Sequence, residues 1–116
     1  AIEIFNYGTE ILGFQSLAPH VYDDILRNGR KIFAVAADDN HNKHGIDDSF
    51  GGFVMIMANE LNHDCIMQAL FHGDFYASTG PAFNDVYIEN NTLFIQCSDV
   101  SSISLTTDGR KTKCIY

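Results

Sequence analysis

KIFAVAADDNH, residues 31–41, is the stretch on which the fold expectation turns. Its first seven residues are nearly all apolar and of strand length. Such a run suits a strand covered on both faces, as in a parallel sheet. Its last four residues form the most polar tetrapeptide of the chain. In α/β sheets and barrels, chemistry sits at the carboxyl ends of the strands. The pattern therefore puts Asp38, Asp39, Asn40 and His41 where a site is expected.

Working outward, residues 1–6 alternate apolar and polar and read as a strand. Residues 7–16 contain Gly8, Gly13 and Ser16 and read mostly as loop. Leu17, Val21, Ile25 and Leu26 fall at helical spacing over 17–27. Ser16 is a candidate cap, Pro19 suits the first turn, and Asn28-Gly29 stops the helix. Strand, helix and apolar strand together make a βαβ unit. Downstream, 42–52 is a polar loop and 53–58 a third short apolar run. Asn62 is placed to cap a helix over 63–72 that Gly73 ends, and 74–83 reads as a strand and a Gly-Pro turn. The pattern then changes. Residues 84–90 and 92–98 form a hairpin at Asn90-Asn91, 101–107 a third strand, Asp108-Gly109 a turn, and 113–116 the start of a fourth strand. The expected layout is an α/β part over 1–83 and an antiparallel β-strand extension over 84–116, packed as one compact unit.

Composition narrows the function classes. The chain has 116 residues, enough for one domain, and a net charge of −8. That balance argues against nucleic acid or an anionic membrane as partner, since both need a basic footprint. It leaves room for an anionic small substrate, because a bound metal inverts the local field. No apolar run approaches the roughly 20 residues of a membrane span. Three widely spaced cysteines, Cys65, Cys97 and Cys114, fit neither a disulfide framework nor a CxxC zinc site. A reducing, cytoplasmic setting is expected. The chain opens in what reads as mid-strand, with no initiator Met, which suggests a piece of something longer.

Asp39-x-His41 is the sharpest chemical candidate. A carboxylate and an imidazole two residues apart reach one cation where a chain leaves a strand, and this oxygen–nitrogen pair suits Zn²⁺, Mn²⁺ or Fe. On spacing alone a solvated loop with a capping Asp is the better explanation, position after a buried-looking strand favours the site, and two ligands do not close one. His44, near Asp47 and Asp48, reads first as an exposed loop histidine and is otherwise a candidate second ligand or substrate contact. Asn6 ends the first strand on the same side as the Asp-Asp-Asn-His segment if the two strands are parallel, and could orient a ligand or substrate. Ser78-Thr79-Gly80 offers hydroxyl and N–H groups to a phosphate, or is simply a turn ahead of Pro81. Gly51-Gly52 lacks both phosphate-loop patterns, and no GxSxG nucleophile motif occurs.

IEIFN at 2–6, ILRNGRKIFAVAADDNH at 25–41, GGFVMIMANEL at 51–61 and ALFHGDFYASTGP at 69–81 occur in that order. Together they resemble the carboxyl-terminal part of PHP-domain proteins, the polymerase-and-histidinol-phosphatase group of metal-dependent phosphoesterases. The resemblance implies the last β/α units of a distorted (β/α)7 barrel, followed by an antiparallel β-rich tail. It implies hydrolysis of small phosphorylated substrates by divalent Zn, Mn or Fe ions, with Asp39 and His41 matching the last family metal motif. Asp38 carries no ligand role by that match. The H-x-H pair and the other early ligands of the family do not occur here. The expectation is therefore a fragment of a phosphoesterase, inactive or nearly so alone and weak in metal binding. Its open barrel edge would be covered by a homo-oligomer, a swapped element or the β tail. The alternatives are a non-catalytic binding or structural module that uses the β-rich tail, and a small metal-storage or sensing domain built on an oligomeric site.

Overall fold

The computed structural model describes residues 1–107 and 112–116. The expected turn at Asp108-Gly109 lies outside the described residues. The chain divides into two compact units, Ala1–Gly80 and Pro81–Tyr116.

In the first unit, β1 (Ile2–Asn6) and β2 (Ala34–Ala37) pair in parallel, with Asn6 opposite Ala37 at their carboxyl ends. The crossover between them holds two helices, α1 (Tyr7–Ile11) and α2 (Pro19–Arg27). α1 falls where the glycines suggested loop. It forms because Asn6 caps it: the Thr9 N–H donates to Asn6 Oδ1 at 2.8 Å, and Thr9 Oγ1 donates to the Asn6 carbonyl at 2.9 Å. α2 starts at Pro19 with no side-chain cap on Ala18, and the Ser16 hydroxyl donates to Glu10 instead. Residues 16–18 run along the other edge of β1, with Asn6 N–H to the Ser16 carbonyl at 3.0 Å and Ala18 N–H to the Ile4 carbonyl at 2.9 Å.

β3 (Phe53–Ile56) and β4 (Phe75–Ser78) pair antiparallel, with α3 (His63–His72) between them. Asn62 caps α3 by accepting from the Cys65 N–H at 2.9 Å, and Gly73 closes it at φ 85°. The (β/α)7 barrel expectation fails here. A barrel needs parallel neighbours and closure. Among the described residues one pair is parallel, three are antiparallel, and every sheet has two strands. The cause is local. Residues 57–62 lead away from β3 for at most about 20 Å, and the ten residues of α3 return about 15 Å. The excursion ends where it began: the Met57 N–H donates to the Asp74 carbonyl at 2.8 Å. β4 therefore runs back along β3 rather than onward beside it. The two pairs meet at Phe33, whose ring lies edge-on to Phe75 at 5.6 Å, over Gly73.

In the second unit, β5 (Phe83–Glu89) and β6 (Thr92–Cys97) form a hairpin. Its turn places Asn90 and Asn91 at φ 47° and 61°, left-handed values that Asn tolerates. Tyr87 stacks on Phe94 at 4.9 Å. β7 (Ile103–Leu105) pairs with β8 (Lys113–Ile115), not with β6, so the expected continuous meander is two separate two-stranded sheets. The Ser98 N–H and the Ala82 carbonyl close the first hairpin at 2.8 Å before the chain bends away.

Among the described residues the buried hydrophobic side chains are only Ala36, on β2, and Ala69, on α3. Asp48 and Ser78 are the buried polar ones.

Candidate functional site

The site grows from the parallel ends of β1 and β2. Asn6 spends its amide oxygen on the α1 cap, which fixes its nitrogen outward. That nitrogen donates to Asp39 Oδ2 at 3.2 Å and to Glu3 Oε1 at 3.0 Å. Asp39 sits at φ 51°, a left-handed turn that takes the chain off β2. Asn6 and Asp39 are thus brought together by the pairing of two strands 33 residues apart.

The loop after β2 is organised by two acids. Asp38 accepts three successive backbone N–H groups: Phe50 at 2.6 Å, Gly51 at 2.9 Å and Gly52 at 2.7 Å. Burial works against its charged form, but the N–H groups of Gly52, Phe50 and Gly51 together outweigh it. They hold the carboxyl below the usual carboxylate range. The Asp38 carbonyl also accepts the Gly8 N–H at 2.8 Å, which ties the same residue to α1. Asp48, only 5% exposed, accepts the His41 N–H at 2.8 Å, and its carbonyl accepts from Asn40 Nδ2 at 3.2 Å.

The glycines at 51 and 52 serve this arrangement by close approach. A Cβ on Gly51 would run into the Tyr7 ring, and one on Gly52 would meet the Ala37 carbonyl oxygen at 2.7 Å. Gly51-Gly52 cradles no phosphate here; its N–H groups grip the chain's own carboxylate.

Between this loop and α1 lies a cleft of about 90 Å³. Asp39, His41, Lys43, Ile46 and Asp48 line it from the loop, Ile11 and Leu12 from the end of α1. Asp39 and His41 therefore share one cleft. Asn6 reaches it through Asp39. His44 does not line it; it sits in the 43–46 turn closed by the Ile46 N–H and the Lys43 carbonyl at 3.1 Å, and its neighbour Lys43 takes the wall position. Ser78 is buried, and its hydroxyl accepts the Gly80 N–H at 3.0 Å. Among the described residues no group of three or more His, Cys, Asp and Glu side chains converges as a metal cage. All three cysteines are free, and no described helix is long and apolar enough to cross a membrane.

Sequence reasoning put Asp38 at the strand end without a ligand role, named Asp48 only as a neighbour of His44, and passed over Lys43. Each matters through a partner 7 to 14 residues away or through a place on the cleft wall, and spacing along the chain carries neither signal. Comparison with family models, curated proteins and solved structures returns no match.

Proposed function

We propose that this chain is the carboxyl-terminal part of a PHP-type metal-dependent phosphoesterase, to which it contributes Asp39 and His41 as ligands of a divalent metal. The observation that carries the reading is the Asn6–Asp39 hydrogen bond at the shared end of two parallel strands, beside a cleft that also takes His41. Asp39 Oδ1 and the His41 ring have no protein hydrogen-bond partner among the described residues, so both are available as donors. That oxygen–nitrogen pair suits Zn²⁺, Mn²⁺ or Fe. Such an ion, when bound, polarises a phosphoryl oxygen and generates hydroxide. Two donors hold an ion only weakly, so the remaining ligands come from outside this chain, and the chain alone is inactive or nearly so. Lys43, on the same wall, suits the anionic oxygens of a small phosphorylated substrate. Three unpaired thiols support a cytoplasmic setting.

The test is a Co²⁺ titration followed by NMR, with a p-nitrophenyl phosphate assay in Mn²⁺. The expected result is weak perturbation centred on Asp39 and His41, lost in Asp39→Ala, and no turnover. Perturbation confined to the exposed His63–Asp64 pair would remove the site. Turnover that disappears in Asp39→Ala would remove the claim that the chain is incomplete.

A second reading has its own observation. Leu93, Ile95, Ile103, Leu105 and Ile115 line a groove of about 540 Å³ in the second unit. This supports a non-catalytic binding or structural module that uses the β-rich part. On that reading, Asp39→Ala and His41→Ala leave the biological activity of the intact protein unchanged, while Ile95→Asp abolishes it.

A further inference from the structure

Residues 39–49 leave β2 and return to β3 as one long loop, and every loop residue on the cleft wall lies within it. Asn40 and Asp48 tie its two arms from within, and the outermost closure, at its base, is made by Asp38. Asp38 stands immediately before it, and the N–H groups of Phe50, Gly51 and Gly52 that it accepts stand immediately after it. We infer that Asp38 is the positioning residue of the cleft: its carboxylate closes the 39–49 loop and so presents Asp39, His41 and Lys43 to whatever the cleft binds.

Three observations support this. The bonds are to an ionised acceptor, the stronger class, and all three converge on one group. Closure at the base removes much of the freedom of the eleven residues between. Finally, Asp38 is bound at both ends: its carbonyl takes the Gly8 N–H while its carboxylate takes the loop. The two walls of the cleft, α1 and the loop, are therefore referenced to the same residue. Asp48 acts inside the closed loop, where it holds the His41 N–H. The inference deepens the metal-site reading but does not need it, because the loop geometry is measurable without a ligand.

The test is native-state amide exchange and Co²⁺ titration by NMR, on wild type, Asp38→Asn, Asp38→Glu and the control Asp47→Asn. In wild type, His41, Phe50, Gly51 and Gly52 should share one opening free energy. In Asp38→Asn their exchange should speed by about tenfold or more, while Glu3 and Ala36 in the β1–β2 pair stay unchanged. The Co²⁺ response at His41 should weaken by about tenfold, with Asp38→Glu intermediate and Asp47→Asn like wild type. Equal acceleration in β1 and β2 would make Asp38 an ordinary stability residue and overturn the inference. So would a His41 amide that opens independently of 50–52 in wild type, a result that needs no variant to fold. If Co²⁺ perturbs nothing in wild type while the amides behave as stated, the metal reading fails and the positioning role stands. If Asp38→Asn binds Co²⁺ as wild type does, the positioning role fails and the metal reading stands.

Discussion

Asp48 carries the sharpest single-residue consequence. It is almost fully buried, and its Oδ2 accepts the His41 N–H. Removal of the carboxylate leaves that donor without its partner. Asp48→Ala should therefore cost about 1–3 kcal/mol in urea unfolding, whereas the exposed neighbour substitution Asp47→Ala should stay within about 0.5 kcal/mol. Equal costs for the two would mean that Asp48 holds nothing. Asp38 gives a pH dependence with a definite sign. Its folded pKa lies below the unfolded one. Its contribution is thus fully present above the ordinary carboxylate value of about 4 and is lost as pH falls through the lower folded value. Wild type should lose stability below about pH 4 more steeply than Asp38→Asn, measured as urea midpoints against pH. Parallel curves would show that the three N–H bonds add no pH-dependent stability.

At the scale of elements, the close fit of the 50–52 segment on α1 is testable by a pair of substitutions. A methyl on Gly51 has no room against the Tyr7 ring. Gly51→Ala should cost about 1–3 kcal/mol as an overpacked contact. In a Tyr7→Ala background the same change should cost much less, a coupling that a thermodynamic cycle reads directly. Additive costs would place the strain elsewhere. The elements themselves were unequally legible. Asn62 and Gly73 bound α3 in sequence as in structure, because caps are local chemistry. The strands at 2–6, 34–37 and 83–97 also follow from local pattern. α1 was hidden, since five residues show no apolar period and Gly8 points the other way. Strand direction was hidden as well: FVMI reads the same whether β4 comes back along it or runs beside it, and the six-residue exit at 57–62 decided the matter. Asn6 and Asp39 could be put side by side from sequence only on the condition that β1 and β2 are parallel, as they are. The Asp38 clamp spans 12 to 14 residues and leaves no periodic trace.

For the whole molecule, the balance of buried and exposed apolar surface leads to a last prediction. A composition that is 46% hydrophobic permits a substantial core. Yet the buried hydrophobics among the described residues are two alanines, while Phe50 is 90% exposed, Leu61 96% and Phe71 76%. Residues 16–18 cover the outer edge of β1, but among the described residues no third strand joins any of the two-stranded sheets. Apolar surface of this kind drives association. The net charge of −8 opposes it by self-repulsion, and that repulsion is screened by salt over about a Debye length. The two terms respond differently to ionic strength, because apolar burial is not weakened by moderate salt. Purified chain should therefore self-associate with concentration, and the association should strengthen as salt rises from low to physiological, seen as an increase in sedimentation coefficient. The dye 8-anilinonaphthalene-1-sulfonate should fluoresce with the monomer and lose signal as the oligomer forms. An interface built on ion pairs would show the opposite salt trend. A chain that stays monomeric and dark to the dye at every concentration would mean that these side chains are covered in solution, and the apolar route to an oligomer would then have no surface to act through.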